Sequence, residues 1–296
     1  METNLPLPIH EFLIKNGFIA ANQKPITIGL CRDLDVKVFQ DKQSGVIYID
    51  PEISDHNENY YFEKFVPSQA YPRNDMDWAD TARRSKYLAP LISGKRWLDF
   101  GCGPGYQLRN DFSLSSAHVG VELNEGKRQS LQNEGFVVAK NLSEILNFQP
   151  QIISMFHVLE HLSDPVKILS DLYTMTDING HLLIEVPHAK DLLLSSKTES
   201  FMKFTLWSEH LVLHTRNSLK SVVEAAGWII DEIISVQRYP VWNHMAWLSD
   251  GIPTGLSASL NDSAAEQLSS AYQHFLAARD RTDTLILTAS KKGAGL

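Results

Sequence analysis

Only two cysteines, Cys31 and Cys102, occur in 296 residues. Two thiols so far apart exclude a disulfide framework and a four-cysteine zinc site, and they point to a reducing compartment. The chain has no run of lysine or arginine, and its formal net charge is -8. Cationic contact with phosphate drives nucleic-acid binding, so that class of partner is not expected. No apolar run reaches the roughly 18 residues that a membrane span needs. The opening "METNLPLPIHEFLIKNGF" lacks a basic start followed by an apolar core. No signal peptide is read there, and a cytoplasmic location is expected. Repeats and low-complexity tracts are also missing. The composition that remains is 43% hydrophobic and 21% charged, ordinary for a globular chain and ample for a sizeable core.

The first 75 or so residues are rich in turns. "VKVFQDKQSGVIYID" predicts a hairpin around Gly45. "DWADTARRSKYLAPLI" predicts a helix with Asp77 as its N-cap. Apolar runs and helical patterns then alternate. Strands are expected at 96–100, 118–123, 136–140, 151–156, 181–187 and 228–237, with a last one in "DTLILTAS". Helices are expected at 166–176, 219–227 and 263–280. That alternation implies βαβ units and a parallel sheet covered on both faces. Ligands of such sheets bind beyond the carboxyl ends of the strands.

One strand end stands out. "WLDFGCGPGYQL" places Gly101, Gly103 and Gly105 directly after an apolar strand that carries Asp99. Glycine belongs where backbone turns sharply or lies against a ligand. A phosphate loop is excluded, because no Gly-Lys-Ser/Thr follows. A dinucleotide fingerprint fails too, since Tyr106 fills its third glycine slot. With Glu122 at the end of the next strand, the pattern resembles the S-adenosylmethionine (SAM) site of the Rossmann-like methyltransferases. "IISMFHVLEHLSDP", "EVPHA" and "SEHLVLHTRNSLKSVVEAAGW" are similar to later segments of that superfamily, in particular of its small-molecule and sugar enzymes. The match spans roughly residues 80 to 236.

The resemblance implies a mostly parallel Rossmann-like methyltransferase sheet with an antiparallel last strand, preceded by a small β-rich module. It divides the chain into residues 1–76 and 77–296, with 237–280 as a substrate lid and helix insertion. It implies SAM as cofactor, held by Asp99, the three glycines and Glu122, with Asn141 and Leu142 near the adenine and His157 in the same site. Glu122 would accept the ribose hydroxyls. The first module ends in "SGVIYIDP", similar to the end of the zinc module that heads the sugar enzymes. Ser44 stands where a cysteine would be, so a metal-free remnant is expected and no metal is assigned. Tyr60 or Tyr61 would lie over the cofactor or within a docked aromatic core.

Histidines carry the chemistry. His157, Glu160 and His161 have the spacing of a zinc-hydrolase signature, but His157 follows directly on a strand, whereas that motif needs both histidines in one helix. A divalent ion at this segment, as in some quinone-pathway methyltransferases, is the alternative; so is a structural role capping the following turn. "WSEH" resembles the Tyr-His-Glu-His segment of sugar C-methyltransferases, which implies Glu209 and His210 as an oriented base. The departure at Trp207 favours oxygen over carbon as acceptor. A histidine suits that role because its pKa lies near neutrality. His161, His188, Arg238, Asn243 and His244 are the expected substrate contacts, the last three within the aromatic "QRYPVWNHMAWLSDGIPTG". The expected acceptor is a hydroxyl of a nucleotide-linked or glycan sugar. Alternatives are a quinone-type O-methyltransferase, an N-methyltransferase, and a catalytically silent SAM-binding module. Oligomeric state is not read from the sequence.

Overall fold

A computed structural model describes residues 8–21, 26–50, 75–255 and 263–291. Tyr60 and Tyr61 lie outside the described residues. Helix α1 (Pro8–Lys15) leads into three short strands, β1 (Ile26–Leu30), β2 (Lys37–Gln40) and β3 (Ile47–Ile49). The second and third form the expected hairpin, with Val38 opposite Ile49. After helix α2 (Asp75–Ile92), the chain alternates through β4 (Arg96–Phe100), α3 (Tyr106–Asp111), β5 (Ala117–Val121), α4 (Glu125–Asn133) and β6 (Val138–Ala139). It continues with β7 (Ile152–Phe156), α5 (Pro165–Met175), β8 (His181–Pro187), α6 (Leu192–Ser195), α7 (Glu199–Thr205) and β9 (Val212–Leu213). The last elements are α8 (Arg216–Ala225), β10 (Ile229–Val236), α9 (Val241–Ser249), α10 (Ser263–Ala278) and β11 (Thr284–Ser290).

Seven strands form one sheet in the order β10-β11-β8-β7-β4-β5-β6. Every pairing is parallel except those of β11, which runs antiparallel between β10 and β8. The central strands are apolar on both sides. Leu98, Ile153 and Leu182 belong to one core cluster, while their chain neighbours Trp97, Ile152 and Leu183 belong to the other. Alternate side chains of one strand thus fill two cores, which is why these strands read as unbroken apolar runs. From β4 the chain first moves outward to β5 and β6, then returns to lay β7 on the opposite side. The carboxyl end of β4 is therefore the switch point of the sheet, and the glycine loop begins there.

Helix ends follow local hydrogen bonding. Asp164 caps α5 by accepting from Lys167 N at 3.0 Å, and Pro165 occupies its first turn. Thr215 and Ser218 form a reciprocal capping box, so α8 starts three residues before the expected 219. Asp77 is not a cap: α2 begins at Asp75, and the Asp77 carbonyl accepts from the Thr81 hydroxyl one turn on.

A second, four-stranded sheet has the order β1-β2-β3-β9. Its fourth strand comes from beyond β8, within the segment the sequence assigns to the methyltransferase domain. Among the described residues, no helix is long and apolar enough to cross a membrane.

Candidate active site

The loop after β4 is shaped by three left-handed glycines, with φ of 73° at Gly101, 55° at Gly103 and 76° at Gly105. A Cβ on Gly101 would strike Val158, and one on Gly105 would strike Leu131, so both are needed for close packing. A Cβ on Gly103 would meet nothing within 4 Å. The loop therefore packs on both flanks and leaves open space at its middle, a cradle into which a ligand can bring its own atoms. Asp99 is 2% exposed and accepts from the Ser154 hydroxyl at 2.7 Å, and that hydroxyl accepts in turn from Trp97 Nε1 at 2.8 Å. Burial pushes the Asp99 carboxyl up to about 7, against the pull of the Ser154 bond. Glu122 directly follows β5, with one oxygen accepting from Asn124 N at 2.7 Å, and its backbone N donates to the Ala139 carbonyl of β6. Asn141 follows β6 and is exposed, its oxygen accepting from Ser143 N and Oγ, while Leu142 packs partly against the core. An acid at the end of β5, an open glycine loop at the switch point and no lysine in that loop suit SAM, which has ribose hydroxyls but no pyrophosphate.

Val158, which closes on Gly101, also joins the loop to a cluster of titratable groups. His157 directly follows β7 at φ 53°, a left-handed conformation that a non-glycine residue adopts only under constraint. Its Nδ1 is 3.1 Å from Glu160 Oε1, and its Nε2 is 3.2 Å from Glu185 Oε1. Burial alone would lower the His157 pKa, but these two carboxylates raise it. Burial would raise Glu160, yet His157, His161 and His210 hold it at about 2. His161 donates Nδ1–H to the Glu209 carbonyl at 2.8 Å, and its ring lies 5.0 Å from that of His210. Glu160, His161 and His210 each bring a donor atom within 4.8 Å of the others. The Glu160 Oε2 and His210 Nδ1 atoms are buried without a hydrogen-bond partner.

The sequence reading missed the base of this cluster. Glu185, wholly buried in β8, accepts from Arg83 Nη1 and Arg84 Nη2 of α2, both at 2.7 Å. Arg83 Nη2 continues to Asp80 at 2.9 Å, which Arg238 grips through Nε at 3.0 Å and through Nη2. Burial would raise Asp80, but Arg238 beside it keeps it at about 2. A signal was present: "HLLIEVP" carries one acid in an otherwise apolar strand, and such an acid needs cations brought to it.

The model of the methyltransferase-domain family matches residues 73–233, more than half of the chain. The chain belongs to this family. No curated protein matches its sequence. A SAM-dependent methyltransferase from Archaeoglobus fulgidus has the same fold at 18% identity and a TM-score of 0.51, covering 73% of this chain and 94% of its own. Phosphoethanolamine N-methyltransferase 2 from Haemonchus contortus, solved with SAM, is similar at 14% identity and a TM-score of 0.50, covering 97% of this chain and 74% of its own. This methyltransferase therefore uses SAM as its cofactor.

In the methyltransferase, several expected substrate contacts turn inward instead. His188 has no exposed surface and its Nδ1 donates to the Thr282 carbonyl at 3.0 Å, so it packs the end of β8. Asn243, 2% exposed, accepts from Thr254 and Gly255 N and closes the turn after α9. His244, 3% exposed, bonds Tyr272 of α10 at 2.8 Å. Trp247 lies against Phe201 and Phe204 of α7. These side chains hold the cover together rather than face an acceptor. Arg238 is likewise committed to Asp80. The Glu209 carboxylate makes no hydrogen bond to His210 among the described residues; Glu160 is the acid beside that ring, and Glu209 acts on His161 through its backbone.

Glu185→Ala is expected to destabilise the protein by about 3 kcal/mol, because it leaves the half-buried Arg84 without its anion and Arg83 with Asp80 alone; the urea midpoint checks this. The fold is also expected to weaken in acid. Burial is the first cause that pushes His210 down to about 3 and His188, His214 and His244 to about 4, from an ordinary 6.5. Each is neutral in the fold and binds a proton more readily when unfolded. Their contribution is therefore intact above 6.5 and is lost as pH falls towards 4. Asp99 and Asp191, raised by burial from 3.8 to about 7, act in the opposite sense between those values. Asp283, also raised by burial, acts with them, but the four imidazoles are joined by Glu160, lost between 4.5 and about 2, and Asp80, lost between 3.8 and about 2, which leaves the acid side the weaker. Denaturant midpoints measured across this pH range should fall with acid.

Proposed function

We propose that the enzyme transfers a methyl group to a hydroxyl of a small acceptor, a nucleotide-linked or glycan sugar, with His210 as general base. SAM supplies the methyl group on a sulfonium that is already a good leaving group. The demand on the protein is then to bind both partners in line and to take a proton from a weakly acidic hydroxyl. The observation that carries this reading is the convergence of buried Glu160 with half-buried His161 and His210 beside Val158, the residue packed on Gly101 of the proposed cofactor loop. His210 enters neutral, its pKa lowered first by burial and then by His161. Glu160 stays ionised beside it and favours the imidazolium that proton transfer creates. The acceptor class rests on the sequence resemblance to sugar methyltransferases; the base rests on the cluster. Asp99, Gly101, Gly103, Gly105, Glu122, Asn141, Leu142 and His157 remain the proposed cofactor contacts, and His161 the proposed acceptor contact.

A second reading is favoured by the 4.8 Å spacing of Glu160, His161 and His210. A divalent cation held there would lower the pKa of the acceptor hydroxyl in place of the base. Loss of turnover in chelator, restored by added Mn²⁺, would select it.

SAM and its demethylated product are expected to bind with micromolar affinity, about −8 kcal/mol. Glu122→Ala should weaken both without unfolding the protein. Calorimetry that detects no heat with either ligand would remove the cofactor assignment. A panel of sugar nucleotides, glycans and amines, read by mass shift, identifies the acceptor; no transfer to any leaves a silent binding module. His210→Ala should keep SAM binding and lower kcat by about 10²–10⁴. Because burial holds His210 at about 3, wild-type kcat should stay level around neutrality and fall only in acid, below the 6 to 7 of an ordinary imidazole. Near-normal turnover in His210→Ala overturns the base assignment and moves it to His161.

A further inference from the structure

Among the described residues, no side-chain hydrogen bond orients the His210 ring. Its Nδ1 is buried without a partner there, and its ring lies tilted against that of His161 at 5.0 Å. Its direction must come from the backbone that carries it. That backbone is gripped on both sides by the N-terminal module. On the far side, β3 pairs with β9, Tyr48 opposite Val212, and Ile49 N donates to the Leu211 carbonyl at 3.2 Å. On the near side, the loop between β1 and β2 closes on Phe204 to Ser208. Arg32 N donates to the Leu206 carbonyl at 2.9 Å and Arg32 Nη1 to the Phe204 carbonyl at 2.8 Å. The Arg32 guanidinium lies 3.2 Å from the centre of the Trp207 ring. Asp33 accepts from Ser208 N at 3.0 Å and from Ser208 Oγ at 2.7 Å, and Ser208 has no exposed surface. Only Glu209 and His210 lie between the two grips.

We propose that Asp33 and Arg32 are positioning residues for His210, and that the N-terminal module acts as the jig that aims this imidazole at the acceptor. The inference rests on the reading of His210 as base. It assigns a task to a module whose zinc-type cysteine pattern is missing, and a reason for Trp207, whose indole face takes the Arg32 cation. A base displaced by about 1 Å can cost up to about 10²-fold in rate, so a grip two residues away is enough to matter. Asp33 also contributes to the field at the ring. The charged and titratable groups acting on His210 are His161, Glu160 and His157 from the turn after β7, and Asp33 from the module.

The test uses the full chain with ¹³C-labelled histidine and needs no acceptor. In Asp33→Ala, the Cε1–H resonance of His210 is expected to shift, while those of His188 and His244, which lie outside the grip, stay in place. Asp33→Asn keeps an oxygen for Ser208 N and should restore much of the wild-type position. With an acceptor from the mass-shift panel, Asp33→Ala should lower kcat by up to about 10²-fold with SAM affinity unchanged. An unmoved His210 resonance in Asp33→Ala overturns the proposal, whatever the change in melting temperature. If Asp33→Ala does not fold, Ser208→Ala and Arg32→Ala each remove part of the grip and are read in the same way. The two claims separate cleanly. An active His210→Ala defeats the base assignment, whereas an inactive His210→Ala beside an unaffected Asp33→Ala defeats only this one.

Discussion

A carboxylate inside a strand that is buried on both faces stays ionised only if cations come to it. Glu185 is that carboxylate, and burial would otherwise protonate it. Arg83 and Arg84 reach it from α2, and His157 reaches it from the neighbouring strand end. Three elements distant in sequence are thereby tied at the carboxyl edge of the sheet. His157 in turn holds Glu160, and Glu160 faces His161 and His210. The order of the active-site edge descends from this one buried charge. Apolar residues of the same volume could fill the space with as much stability, but they would not carry charge from the helix layer to the site.

The histidine-rich edge and the glycine loop meet at Val158. Val158 fills the place where a Cβ on Gly101 would lie, so the backbone of the loop and the turn after β7 fix each other's position. That contact makes Gly101 a packing residue. Of the three loop glycines, Gly103 opens onto free space. The small sheet adds a third constraint. It borrows β9 from the segment after β8, and so the N-terminal strands, the stretch holding His210 and the turn holding Glu160 form one packed unit, with Leu211 N donating to the Glu160 carbonyl at 2.9 Å.

Local signals were legible because they act within a few residues. The period of apolar residues located the strands of the main sheet and the helix at 166–176, and the three glycines after β4 marked a loop at the ligand end of the sheet. Asp99, Glu122 and those glycines belong to consecutive strand ends, whose neighbourhood follows from the βαβ rule alone. Strand β11 was readable from its own residues, but its antiparallel direction only through family resemblance. Strand β9 escaped, since two residues show no periodicity and it exists only through its partner β3, and so did β1, whose five residues pair with β2.

Burial and pairing across long sequence distances were decided elsewhere. His188, Asn243 and His244 carry the right chemistry for a substrate contact, and nothing in their neighbours states which way they point; packing of α9 against α10 and of β8 against β11 turned them inward. Glu209 stood next to the expected base in sequence, yet Glu160, arriving from another strand, took the place beside it. The sequence by itself determined the sheet, the glycine loop at its switch point and the residue types brought to the strand ends, because hydrophobic period and backbone conformation are local properties. Which imidazole meets which carboxylate was left to the tertiary structure, because a buried charge takes its partner from whatever element the fold brings within about 3 Å, and that distance is not written in sequence separation.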